Sequence, residues 1–201
     1  MNKIVVLIFI VAAVMWSSCA MAVTLFSDNF NADNGGAGAS NYSSFINWTV
    51  DMGTVDLVGG GYWDQLAYDG LSIDLDGSTY DAGRLTSNQF SVTNGQTYIL
   101  SFDIAGNQRG GADDTFVVQV KFSDFYETFT LSSSDSWQRI TREVTVGGDL
   151  ASIVFNHDGN DNVGVLLDNV SLDSAPVPEP ATLLLLGSGL VGLAFLKRRK
   201  S

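Results

Sequence analysis

The chain has 201 residues, enough for one ordinary domain with something left at each end. Its formal net charge is -12, but Lys3 and the run Lys197, Arg198, Arg199 and Lys200 stand at the termini, so the stretch from residue 23 to 178 sets Arg84, Arg109, Lys121, Arg139 and Arg142 against every acid except Glu179, a net charge near -16. Nothing there could neutralise a row of phosphates, which excludes nucleic acid as a partner and leaves divalent cations and neutral glycans.

The opening MNKIVVLIFIVAAVMWSSCAMAVTLF places a cation at Lys3, an apolar run from Ile4 to Trp16, and Ala20 and Ala22 in an A-x-A arrangement before Val23. This pattern predicts a secretory signal peptide over residues 1–22. The apolar run is shorter than the ~20 residues a membrane span requires. Cys19 is the only cysteine and falls inside the leader, behind Trp16-Ser17-Ser18, a poor lead-in for lipid attachment. A mature chain therefore has no disulfide, thiol nucleophile or thiolate metal site, although its compartment would permit disulfides.

From residue 23 to 175 the pattern is that of β-structure. Tyr98, Leu100, Phe102 and Ile104 alternate with more polar neighbours, and Phe116, Val118, Val120 and Phe122 do the same, the period of half-buried strands. Further strands are predicted at residues 24–30, 47–50, 54–58, 71–75, 84–90, 125–131, 138–146, 151–156 and 163–172. Turn-rich clusters such as DNGGAGASN, GGG, NGQ, GGD and HDGNDN separate them. Many short strands and no amphipathic helix predict a single all-β domain, an antiparallel sandwich.

Strand parity isolates two acids. Asp28 alternates with Phe26 and Phe30, and Asp168 with Leu166, Val170 and Leu172, which places both carboxylates on apolar faces. Such a group must be protonated, paired or bound to a metal. If the two strands are neighbours, Ca2+ would relieve the repulsion between the acids. Asp74-Leu75-Asp76-Gly77 and the segment 156–161 are also rich in oxygen ligands, but neither completes an EF-hand spacing, and Asp or Asn beside Gly ordinarily makes a turn.

Trp48 and Trp137 fall in or beside strands and read as core. Tyr62 and Trp63, in GGGYWD, are two large aromatics in a glycine-rich loop, where they either plug the loop or stack on a sugar. They are the candidate glycan contacts, with Gln65 and Arg84 as hydrogen-bond donors. No catalytic constellation is legible: His157 is the only histidine, and there is no G-x-S-x-G elbow and no H-E-x-x-H pair. The chain is expected not to be an enzyme, with a two-carboxylate polysaccharide hydrolase as the rival.

The chain ends VPEPATLLLLGSGLVGLAFLKRRKS. Residues 181–196 are uncharged and, as a helix of ~1.5 Å rise per residue, reach roughly 24 Å, so they span a membrane only with thinning or with Lys197 to Lys200 snorkelling to the far interface. The positive-inside rule keeps that cluster cytoplasmic and the body on the exported side. Pro178 and Pro180 hold Glu179 in an extended, accessible segment.

The order VPEP, short apolar helix with Gly187 and Gly189, then KRRK resembles the PEP-CTERM sorting signal over residues 176–201. The resemblance implies that Pro178, Glu179 and Pro180 are read by the membrane enzyme exosortase, which removes the tail and passes the body to the cell surface or exopolysaccharide matrix; the alternative is a permanent tail anchor. The succession NWTV, SIDLDG, SFDIAGN, DSWQRIT and GVLLDNVSL resembles the galactose-binding-like jelly rolls that include many carbohydrate-binding modules. That resemblance implies adjacent first and last strands, with a structural calcium where they meet. Together these readings predict a surface or matrix protein associated with extracellular polysaccharide. The alternative is a purely structural or adhesive protein with no sugar site.

Overall fold

The computed structural model describes residues 22–159 and 161–175, and Val23–Ala175 forms one compact unit. The expected leader up to residue 21, the Pro178-Glu179-Pro180 motif, the helix predicted at 181–196 and the basic run at 197–200 lie outside the described residues. Among the described residues no helix is long and apolar enough to cross a membrane.

The unit is all-β, with thirteen strands: β1 (Thr24–Asp28), β2 (Trp48–Asp51), β3 (Asp56–Gly59), β4 (Leu71–Asp74), β5 (Arg84–Ser87), β6 (Phe90–Ser91), β7 (Thr97–Ala105), β8 (Asp114–Val120), β9 (Tyr126–Leu131), β10 (Gln138–Thr145), β11 (Leu150–Ala151), β12 (Ile153–His157) and β13 (Leu166–Ser174). They form an antiparallel jelly roll. One sheet runs β10-β7-β13-β4-β3, with β1 lying against the C-terminal half of β13; the other runs β2-β5-β12-β8-β9, and β6 pairs with β11. The first and last strands are neighbours, as the resemblance implied.

The alternating residues meet between the sheets. Leu100, Phe102 and Ile104 of β7 pack with Phe116, Val118 and Val120 of β8, Phe155 of β12 and Trp48 of β2 in one buried cluster. Phe155 makes aromatic contacts with Trp48, Phe102 and Phe116 at centroid distances of 5.9, 5.4 and 6.4 Å. Four such large side chains supply much of the apolar burial that a disulfide-free domain depends on.

Two predicted strands are interrupted. The run 84–90 divides at Asn88 into β5 and β6, which join different sheets, while Ser87 Oγ accepts the Ile153 N–H at 2.9 Å and keeps that backbone donor satisfied. Phe122 does not continue the inward series of β8. It turns out at φ 64 and is 59% exposed, because the chain has already begun the turn into β9.

Candidate functional site

The outward-facing residues of the five-stranded sheet form two registered rows that cross all five strands. One is Thr49, Thr86, Val154, Gln119 and Tyr126; the other is Asp51, Arg84, Asn156, Val117 and Thr128. At the ~4.8 Å strand spacing, five strands span roughly 19 Å. Over these rows lies a hollow of about 280 Å³ walled by Met52, Arg84, Lys121 and Tyr126 and floored by Val117, Gln119, Val154 and Asn156. A second hollow of about 310 Å³ shares Met52 and Asn156 with it and continues to Tyr80, Asp81, His157 and Asp158. The two make one groove with an exposed tyrosine near each end, Tyr126 at 65% and Tyr80 at 77% exposure.

Arg84 borders this groove rather than joining Tyr62, Trp63 and Gln65. Its Nε and Nη2 donate to the two oxygens of Asp51 at 2.8 and 2.7 Å, a bidentate pair that fixes the side chain as part of the wall. A larger hollow of about 820 Å³ near Phe122 and Val146 has Asp124 and Glu143 as its charged walls, with Asn94, Ser123 and Thr145 as its polar side chains and no cationic donor.

Tyr62, Trp63 and Gln65 lie over the outer face of the other sheet, in the loop between β3 and β4. Gly59 sets the loop's entry: at φ 101, an added Cβ would come within 2.1 Å of the Gly70 carbonyl oxygen, so only glycine lets the two ends of the loop close. The loop then drops Leu66 onto Val58, Ala105 and Leu166, with Tyr62 and Trp137 packed around them, a small core separate from the main one. Tyr62 is thus the plug, and its hydroxyl donates to Asp56 Oδ2 at 3.3 Å. Trp63 stays 45% exposed, with φ 51, a strained value for so large a side chain. Gln65 is exposed beside it. Trp137, read as core, packs on this outer face instead.

Asp28 and Asp168 are not brought together. Asn169, at φ 49, lies in a bulge that shifts the register of β13 against β7 between Asp168 and Ser171, and the extra residue inverts the parity. Asp168 consequently shares the outer face with Leu166, while Val170 and Leu172 point into the main core. Asp28, paired with Val170, is on the inner side. Its Oδ2 accepts from Trp48 Nε1 at 2.9 Å and Asn47 Nδ2 at 3.0 Å, and its Oδ1 accepts from the Phe30 N–H at 2.8 Å. Asp168 accepts from Ser72 Oγ at 3.1 Å and the Asn169 N–H at 2.6 Å. As arranged, the two acids do not fit one calcium ion: they face opposite sides of their sheet, and three N–H donors already bond the two oxygens of Asp28. Among the described residues no three acidic, His or Cys side chains form a metal-holding group.

A different acidic cluster forms where β4 ends. Asp74 is wholly buried and paired with Arg109, yet burial pushes its carboxyl up to about 8. Burial raises Asp76 to about 7, with Asp161 and Asp114 adding repulsion, and neither of its oxygens has a partner among the described residues. His157 closes β12 nearby; burial lowers it to about 4, and its Nδ1 accepts the Gly159 N–H at 3.0 Å. No hydroxyl among the described residues bonds to His157.

Residues 27–173 match the family described as protein of unknown function (DUF642). The chain belongs to the DUF642 family. Residues 176–200 match the PEP-CTERM protein-sorting motif, which marks this DUF642 protein as exported. No curated protein matches the chain. Solved structures resemble the DUF642 domain in fold: the CBM22-1 xylan-binding domain of Xyn10C from Paenibacillus barcinonensis has a TM-score of 0.52 at 14% identity, covering 81% of this chain and 100% of its own. TmCBM61, in complex with β-1,4-galactotriose, has 0.52 at 13%, covering 79% and 100%. The K1 cleaved adhesin domain of Lys-gingipain from Porphyromonas gingivalis W83 has 0.51 at 12%, covering 76% and 99%.

The sequence singles out Arg84 but groups it with Tyr62, Trp63 and Gln65 on the other face, and it gives no sign of the other groove residues. Tyr80 and Met52 sit in turns with no pattern of their own. Gln119, Tyr126 and Asn156 are ordinary outward positions that only the strand order brings into line.

Proposed function

We propose that this protein is an exported, non-catalytic glycan binder of the cell surface or exopolysaccharide matrix, which holds a polysaccharide chain in the groove across the five-stranded sheet. The observation that carries the reading is the groove itself. It joins two hollows across the sheet, with an exposed tyrosine near each end and amide and cationic donors from Gln119, Asn156 and Lys121 between them. Aromatic faces stack on sugar rings, and spaced amides bond their hydroxyls. The strong negative charge of the body favours a neutral chain over an anionic one.

Sorting precedes binding in this reading: exosortase acts on Pro178-Glu179-Pro180, and the surface form lacks residues 181–196. His157 lines the second hollow but bonds to no hydroxyl among the described residues, and Asp74 and Asp76 lie in buried packing rather than along the groove.

The test is a glycan array on the purified protein and on Tyr126→Ala/Asn156→Ala. Retention by the unmodified protein that the double variant weakens at least tenfold supports the groove. Equal retention by both would remove it, and no retention at all would favour a purely adhesive or packing role. Release of reducing ends from a bound polysaccharide would make the protein a hydrolase.

A further inference from the structure

The outer face of the six-stranded sheet holds a second set of groups with sugar-binding chemistry, built from residues outside the groove. Tyr68, in the covering loop, stacks on Trp137 with ring centroids 5.0 Å apart and planes inclined by 34°, and remains 53% exposed. Its backbone is tied down, since the Tyr68 N–H donates to Ser72 Oγ at 3.0 Å and that hydroxyl in turn donates to buried Asp168. A ring held from behind and below has spent its conformational freedom before a ligand arrives, which lowers the cost of binding.

Two residues beyond Trp137, on the same face of β10, Arg139 stands about 7 Å further along the strand. Its register partner on β7 is Asp103, and Asp103 is in turn the partner of Asp168 on β13. The β13 bulge turns the Asn169 side chain onto this face, where Nδ2 donates to Asp103 Oδ2 at 3.0 Å. Arg139 Nη1 donates to the same oxygen at 3.2 Å and to the Asn169 carbonyl at 3.3 Å. These bonds position the three side chains and leave others unspent. Among the described residues, Arg139 Nε and Nη2, Asp103 Oδ1, Asn169 Oδ1 and the Tyr68 hydroxyl make no hydrogen bond. Donors and acceptors in alternation beside an apolar ring match the alternating hydroxyls and apolar faces of a pyranose.

We propose that Tyr68, Trp137, Arg139, Asp103 and Asn169 form a second binding site, which takes a pyranose unit of a neutral polysaccharide on the face of the sandwich opposite the groove. The class of ligand rests on the glycan reading above, but the site uses none of the groove's residues. The Asp103 carboxylate and the acidic body exclude a polyanionic chain. Two sites on opposite faces cannot engage one straight stretch of chain, so the protein cross-links two chains, the action of a matrix organiser rather than of a passive coat.

The experiment is isothermal titration of the purified protein with xylo-, cello-, manno- and β-1,4-galactohexaose, followed by turbidity with the long polymer of whichever binds. The unmodified protein should take two oligosaccharides per chain and cloud the polymer. Tyr68→Ala should take one and leave the polymer clear, and Arg139→Gln, which leaves the stacked rings in place, should weaken the same site by about tenfold. Unchanged stoichiometry and affinity in both variants would overturn the site. Tyr126→Ala separates the two readings: if it behaves as unmodified protein while Tyr68→Ala loses all binding, the second site stands and the groove falls. Failure of the unmodified protein to bind any of the four overturns the site as a neutral-glycan site.

Discussion

The two sheets present opposite solutions for an outer face. The outward residues of the five-stranded sheet stay open as a groove, whereas the covering loop closes over the corresponding residues of the six-stranded sheet and buries Leu66 against Val58, Ala105 and Leu166. Identical strand alternation thus produces a wet face on one side and a second small core on the other. The difference lies in the loop between β3 and β4. It has a consequence for charge: Asp168, which the β13 bulge leaves on the outward side, ends up wholly buried on the covered side, bonded through Ser72 to the loop at Tyr68.

The largest test of the contrast is packing. Leu66→Ala should destabilise by about 2 to 5 kcal/mol, because it removes the anchor of the covered face and leaves a cavity. Val117→Ala, in the open groove, should cost under about 1 kcal/mol. Denaturant titration measures both, and equal costs would show that the loop is not a core element.

Acidity gives the next largest effect. Folded-state carboxyls at about 8 for Asp74 and about 7 for Asp76 and Asp168 lie above the unfolded value, so their contribution is full below pH ~4 and is lost as pH rises through 7 to 8. His157, lowered to about 4, acts the other way: its contribution is present above pH ~6.5 and is lost as pH falls towards 4. With three groups against one, the melting temperature should rise by several degrees from pH 8 to pH 5. Asp76→Asn should raise the midpoint at pH 8 and flatten the profile. A midpoint that falls on acidification to pH 5 would contradict the burial of these acids.

The smallest effect concerns the two acids that parity had joined. Because three N–H donors already bond Asp28 and Asp168 faces the other side of the sheet, the difference in melting temperature between calcium and chelator should be the same in Asp28→Asn as in unmodified protein, to within about 1 °C. If calorimetry found that difference abolished by Asp28→Asn, the shared ion would be restored.

Much of the fold was legible because core positions repeat every second residue, and that period survives in isolation. Trp48, the alternating residues of β7 and Phe116, Val118 and Val120 of β8 all face the main core as the pattern implies. What failed did so at irregularities. One bulge residue, Asn169, transferred Asp168 to the other face; a turn begun early took Phe122 out of its series; and Asn88 passed one apparent strand to two sheets. A single residue in an unusual conformation leaves almost no trace in hydrophobic periodicity, yet it reverses every orientation beyond it.

The sequence by itself determined the all-β class, the acidic character of the body and the sorting motif at the C-terminus, because composition, period and short contiguous motifs are local properties of the chain. Only the tertiary structure decided which outward residues share a face. The groove draws on β2, β5, β8, β9 and β12, and the Tyr68 platform on a loop with β7, β10 and β13, residues from separate stretches of the chain. Their adjacency is a product of strand order and register, which depend on how distant segments pair and cannot be read from any one of them.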